Sequence, residues 1–344
     1  MDPDPKTTKI IATAVNWLWT IAGRDFASGH TNEPNWFRWM RNRFERAVDE
    51  TKWRFVMTCY YQNLFDQVST VRVLGKNGGQ FLEKIYTDVN VLDKESATQR
   101  YNVDYLREHF APRSVSWYEN LVRQEGMYVL RQNNKLFILG KPGAGKTTFM
   151  KWAALQAIQC NLDYFPIFVN LKELSDKRPD IKMAKDIFDY ITHLCQVHTI
   201  LPLENFIEHL LITGRVLMLF DGLDEVNLAN NRRASLINAI NDFVKRYGGG
   251  KILITCRVAA TDYSFSQFNY VEMADFTPRQ MAVFIDNWFA TDIDKARRCK
   301  QALITENNNK TLQELAQVPL LITLLCLTFE ELDEFPVERS QIYE

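Results

Sequence analysis

Beyond Asn133 the sequence falls into short apolar runs separated by longer stretches of helical spacing, and this alternation leaves few folds open. Residues 136–139, 165–169, 216–220 and 252–255 are nearly continuous in apolar side chains, and a shorter run lies at 270–273. A strand that is apolar on both faces must be covered on both faces, so the runs predict a buried parallel sheet in an α/β domain. Helical patterns fill the gaps at 147–160, 184–195, 203–211 and 233–246, and Gly248, Gly249 and Gly250 end the last of them. Thr277 and Pro278 read as the cap and first residue of a helical tail.

Where the first run ends, Gly140-Lys-Pro-Gly-Ala-Gly-Lys-Thr147 fits G-x-x-x-x-G-K-[ST], followed by Thr148 and a helical pattern. A strand before and a helix after the motif are the context this phosphate loop requires. Gly140, Gly143 and Gly145, with Pro142 and Ala144 between them, let main-chain N–H groups turn inward toward phosphate, and the helix start adds its positive dipole end. Lys146 supplies a compact charge for β- and γ-phosphate oxygens, and the Thr147 hydroxyl can ligate magnesium.

A second apolar run ends in an acid. Val216-Leu-Met-Leu-Phe-Asp221 places a carboxylate at the carboxyl end of a strand, where open α/β sheets bind ligands and where magnesium needs an oxygen donor. Asp224 and Glu225 follow closely; Glu225 is the candidate to orient and polarise the attacking water, with Asp224 assisting, and the alternative is that both acids cap or pair within their loop. The run Lys251-Ile-Leu-Ile-Thr-Cys-Arg257 ends in a base. If it neighbours the Asp221 strand, Arg257 can sense the γ-phosphate or pair with Asp221 or Asp224.

The other signals are weaker. At 344 residues and 46% hydrophobic, the chain has material for two or three domains. Forty-one basic against forty-two acidic side chains give a net charge of −1, which supplies no global field for nucleic acid or anionic membrane and leaves only local binding open. Six scattered cysteines without C-x-x-C spacing read as reduced core thiols of a cytoplasm-like compartment, and five histidines form no metal-ligand pattern. The apolar segment 10–23 is too short to span a bilayer and puts Ile11, Ala14, Leu18 and Ile21 on one helical face. Phe37, Met40, Phe44, Val48 and Phe55 suggest a second, basic amphipathic helix beginning near Asn32 and Pro34. The glycine-rich 75–79 marks a boundary, 84–92 reads as a strand, and the charged stretch 93–113 reads as a linker.

Asp-Gly-Leu-Asp-Glu at 221–225, taken with the loop at 140–148 and Thr-Cys-Arg at 255–257, resembles the NACHT family of signal-transduction ATPases, relatives of the AAA+ fold. Phe165 to Leu174, Phe276-Thr-Pro-Arg-Gln-Met and Pro319-Leu-Leu-Ile-Thr-Leu-Leu-Cys-Leu327 extend the resemblance, the last of them toward microbial members. It implies an AAA+-like P-loop domain at 133–275, entered through a linker with a short strand at 76–132. A small helical domain would occupy 276–344; residues 1–75, outside the resemblance, read as an N-terminal helical adaptor or effector-docking domain. It further implies an ATP/ADP switch with Mg2+ that hydrolyses slowly and self-assembles when ATP replaces ADP, in intracellular antiphage-type defence with an unknown trigger and effector. By the resemblance Asp221 is the magnesium-side acid, Asp224 and Glu225 the hydrolytic acids and Arg257 a sensor. Pro319 contacts the nucleotide base by the same carry-over, although a proline there equally starts a helix. The family pattern continues into a winged-helix domain, and residues 276–344 are read as the segment before it. The competing functions are a non-hydrolysing nucleotide-dependent scaffold, a P-loop phosphotransferase, for which no substrate motif is visible, and a nucleic-acid motor.

Overall fold

The computed structural model describes residues 4–27, 50–72, 79–93, 123–195, 203–228, 231–258, 265–305 and 310–335; the helix expected after Asn32, the glycines at 75–78 and most of the charged linker lie outside them. In chain order, helices α1 (Pro5–Ala27) and α2 (Glu50–Val68) precede the antiparallel pair β1 (Thr70–Arg72) and β2 (Gly79–Phe81). A one-turn helix α3 (Leu82–Ile85), strands β3 (Asn90–Asp93) and β4 (Arg123–Glu125), and helix α4 (Gly126–Gln132) follow. The core runs β5 (Lys135–Gly140), α5 (Lys146–Ile158), β6 (Phe165–Asn170), α6 (Leu171–Lys177), α7 (Ala184–Cys195), α8 (Glu204–Ile212), β7 (Val216–Asp221), α9 (Arg232–Tyr247), β8 (Lys251–Arg257) and β9 (Asn269–Met273). The tail is helical, with α10 (Pro278–Trp288), α11 (Ile293–Lys300), α12 (Lys310–Ala316) and α13 (Pro319–Leu332).

The chain divides into two compact units, Met1–Val68 with Ala153–Leu253, and Ser69–Trp152 with Ile254–Glu344. In the first unit β6 and β7 pair in parallel from Phe165↔Val216 to Asn170↔Asp221, and the opening residues of β8 continue the order β6-β7-β8. Every residue of β7 is buried, as its uninterrupted apolar run requires. Pro166 cannot donate a ladder hydrogen bond, which suits the edge position that β6 holds.

The two N-terminal helices belong to this unit. Ile11, Ala14 and Leu18 of α1 are buried as their spacing predicts, with Val15 beside them. On α2 the buried face is Val56, Met57, Tyr60, Tyr61, Leu64 and Val68. Phe55 points away from it and is 62% exposed, so this residue does not extend the apolar stripe expected from 37 onward. Tyr60 fixes α2 to the sheet edge: its ring stacks on Phe165 at 5.1 Å and its hydroxyl donates to the Pro166 carbonyl at 2.8 Å. The same hydroxyl meets the buried thiol of Cys195, which burial pushes up to about 12.

In the second unit the strand order is β4-β3-β9-β5, with the closing residues of β8 beyond β5. β5 and β9 are parallel, whereas β3 pairs antiparallel with both β9 and β4. The sheet is therefore mixed, and its antiparallel edge is made of short strands. The strand expected over 84–92 is shorter and later than its β-favouring residues suggest, because Leu82–Ile85 forms a helical turn and only Asn90–Asp93 pairs. Tertiary contacts decide this: Tyr86 stacks on Trp152 at 4.1 Å, and its carbonyl accepts from Asn287 Nδ2 at 3.2 Å. Thr277 and Gln280 complete a capping box on α10, and Gln280 Nε2 donates to the Asp88 carbonyl at 2.6 Å.

Of the six cysteines, all free thiols, Cys195, Cys256, Cys299 and Cys326 are buried, whereas Cys59 and Cys160 are partly exposed and so are not the core residues expected. Among the described residues no helix is long and apolar enough to cross a membrane.

Removing the Tyr60 hydroxyl leaves the Pro166 carbonyl unsatisfied, so Tyr60→Phe should cost about 1–2 kcal/mol in urea unfolding. Tyr60→Ala, which also opens a cavity against Phe165, should cost about 3–5 kcal/mol and expose Cys195 to alkylation at neutral pH. An unchanged midpoint in both variants would show that α2 is not anchored there.

Candidate functional site

The loop between β5 and α5 reverses the chain in five residues. Gly143 and Gly145 adopt φ of 75° and 87°, conformations that cost a side-chain-bearing residue about 1–2 kcal/mol. Phe149 N donates to Gly145 O at 2.8 Å, which closes the first turn of α5 directly on the loop, and Ala144 N donates to Lys141 O at 3.2 Å. Ala144, Phe149 and Met150 are buried and anchor the turn from below. Gly126 packs so closely against the Phe149 ring, 2.9 Å from where its Cβ would sit, that only glycine fits at the start of α4.

Lys146 folds back over the loop, and its ammonium donates to the carbonyls of Gly140 at 2.8 Å and Lys141 at 3.1 Å. Thr147 is exposed and Thr148 half-buried in the first turn of α5. The groups gathered here are an ammonium, hydroxyls and the leading N–H groups of a helix. This donor-rich set fits the oxygens of a phosphate chain.

The helical tail meets this loop within the same unit. Pro319 is the first residue of α13, capped by Val318 without a side-chain bond, and its ring lies 3.8 Å from where a Cβ on Gly145 would stand. Leu320 N donates to Gly143 O at 3.2 Å, so an amide left without an intrahelical partner at the start of α13 is satisfied by the phosphate loop itself. Sequence reasoning placed Pro319 near a nucleotide base; its contact here is with the loop glycines. Arg257 is the exposed last residue of β8.

The acidic groups lie together in the other unit. Asp221 ends β7 and is only 4% exposed, so its carboxylate is held in a protected position. Gly222 follows at φ 82°, turning the chain into a one-turn 3-10 helix over Leu223–Glu225. Leu223 and Val226 are buried, which leaves Asp224 half-buried and Glu225 exposed on the outer side of the turn. Glu225 N donates to Gly222 O at 3.0 Å. Arg233, from the first turn of α9, reaches back to this loop through three hydrogen bonds, a contact that no motif signals.

Residues 134–292 match the NACHT domain. The chain carries a NACHT domain. It is thus a P-loop nucleotide-binding domain of NTPase type, and the loop, acidic strand and β8 all fall inside the matched segment. No curated protein matches the chain. Among solved structures, three chains of Thermotoga maritima RuvB, one titled a Holliday junction branch migration motor and two carrying single substitutions, align at 12–13% identity with TM-scores of 0.34–0.35. Each alignment covers 63% of this chain, and the chain spans 63–64% of the length of those structures.

A methyl group at Gly143 would stand 2.8 Å from Leu320 Cβ in a backbone conformation that already disfavours it. Gly143→Ala should therefore push the first turn of α13 off the loop, and hydrogen exchange should read this as faster exchange of the Leu320 amide by roughly tenfold or more. Unaltered protection of that amide would contradict the contact.

Proposed function

We propose that this NACHT protein is an ATP/ADP-dependent switch that binds Mg-ATP, hydrolyses it slowly, and couples the bound nucleotide to its own conformation and self-assembly. The observation that carries the reading is the bond from Leu320 N to Gly143 O together with Pro319 against Gly145: the loop suited to phosphates is directly bonded to the helical tail. A nucleotide can drive a switch only by binding two states unequally. A loop that must change its hydrogen bonds to admit a γ-phosphate, while holding α13 through one of those residues, offers such a difference.

In this reading the N–H groups of 140–148 and the Lys146 ammonium bind the β- and γ-phosphates, Lys146 exchanging its carbonyl partners for phosphate oxygens. The Thr147 hydroxyl and the Asp221 carboxylate would hold magnesium, which would supply charge neutralisation at the phosphate oxygens. Glu225, exposed on its turn, orients the attacking water and accepts its proton, assisted by Asp224, while Arg257 reads the γ-phosphate. Water adds to the γ-phosphorus, the bond to the β–γ bridging oxygen breaks, and ADP and phosphate leave. Pro319 lies close enough to the loop to line the nucleotide's flank. By the family resemblance the biological setting is intracellular defence of antiphage type.

Lys146→Ala should weaken adenine-nucleotide binding by about two orders of magnitude or more, as read by calorimetry, because an ammonium-to-phosphate contact is lost. Glu225→Gln should leave binding intact while lowering phosphate release by about 100-fold. If Glu225→Gln turns over ATP like wild type and still assembles with nucleotide, the protein is a non-hydrolysing scaffold instead.

A further inference from the structure

We infer that Arg233 is a positioning residue for hydrolysis, holding Glu225 in register by clamping the main chain on either side of it. The guanidinium donates through Nη2 to the Asp224 carbonyl at 2.5 Å and to the Val226 carbonyl at 2.9 Å, and through Nε to the Val226 carbonyl at 3.2 Å. The two acceptors belong to the residues immediately before and after Glu225. One planar cation thus fixes the 224–225 peptide plane, which leads into Glu225, and the 226–227 plane one residue beyond it.

The loop needs such a clamp. Its turn carries the main-chain bonds Glu225 N to Gly222 O at 3.0 Å and Val226 N to Leu223 O at 3.4 Å, both of the tight 3-10 kind, whose geometry is poorer than an α-helix's. Gly222, in the left-handed region, removes side-chain restraint at the entry. Buried Leu223 and Val226 locate the turn on either side of the Asp224–Glu225 segment. Hydrogen bonds from a charged donor are about twice as strong as neutral ones, and three from one rigid fork are oriented as well as strong. Lysine's single ammonium can reach carbonyls as Nη2 does here, but it lacks the Nε bond and the planar fork that orient the contact, and its stem is flexible.

The guanidinium is half-buried and bonds main-chain carbonyls on either side of Glu225. Its consequence is geometric. A water-orienting carboxylate displaced by about 1 Å can lose about 100-fold in rate, so releasing the clamp acts on turnover far more than on nucleotide binding.

The inference rests on Glu225 as the hydrolytic acid, and the experiment separates the two. ATP turnover and ADP affinity are measured on the whole chain for wild type, Glu225→Gln, Arg233→Ala, Arg233→Lys and the Arg233→Ala/Glu225→Gln pair. Expected are a roughly 10- to 100-fold lower kcat for Arg233→Ala, an ADP affinity within about twofold of wild type, intermediate turnover for Arg233→Lys, and no further loss when Arg233→Ala is added to Glu225→Gln. Wild-type kcat in both Arg233 variants, or additive losses in the pair, overturns the clamp while leaving Glu225 in place. Unchanged turnover in Glu225→Gln alone defeats the hydrolytic assignment itself. Should Arg233→Ala fail to fold, Arg233→Lys decides: a kcat loss in step with lost ADP-binding capacity means a merely structural role and rejects the inference.

Discussion

A helix that begins directly on the end of a buried strand forces the chain to reverse within a few residues, and in this protein the reversal at 141–145 governs what surrounds it. Two left-handed glycines accomplish the turn, and buried Ala144 and Phe149 pin it. The first N–H groups of α5 and the Lys146 ammonium are thereby gathered at one point. Their positive character is a consequence of the backbone path. A nucleotide is then the ligand that suits a site the fold has to make.

The same loop gives up a carbonyl to α13 through Leu320. A contact of this kind makes the state of the phosphate site a term in the stability of the helical tail. The acidic turn after β7 shows the complementary strategy: apolar Leu223 and Val226 set its position, while Arg233 sets the orientation of the segment between them. In each place hydrogen bonds to main-chain carbonyls fix the loop that carries functional side chains.

The strands that carry chemistry were legible because burial on both faces writes itself as an unbroken apolar run; β5, β6, β7, β8 and β9 all lie where 136–139, 165–169, 216–220, 252–255 and 270–273 indicate. Ladder polarity was not legible. The antiparallel edge of β3 and β4 depends on chain direction, which residue pattern does not encode. The stretch 84–92 misleads because Ile85, Tyr86 and Val89 favour strands locally, whereas the stack of Tyr86 on Trp152 and the bonds from α10 decide its conformation. Phe55 misleads for a related reason, since on α2 the buried face is set by Val56, Met57, Tyr60 and Tyr61 rather than by the spacing counted from 37. Among the site residues, glycines and acids announced themselves by motif. Arg233 could not, because its partners are peptide carbonyls that any sequence would supply.

The central claim is that the loop at 140–148 binds a nucleotide whose phosphates share a magnesium ion with Asp221. The most direct test is the magnesium dependence of affinity for a non-hydrolysable ATP analogue in wild type and in Asp221→Asn, titrated with and without the metal. The account predicts that wild type gains at least about tenfold in affinity from magnesium and that Asp221→Asn loses that gain while keeping its metal-free affinity. An equal gain in both proteins would contradict it.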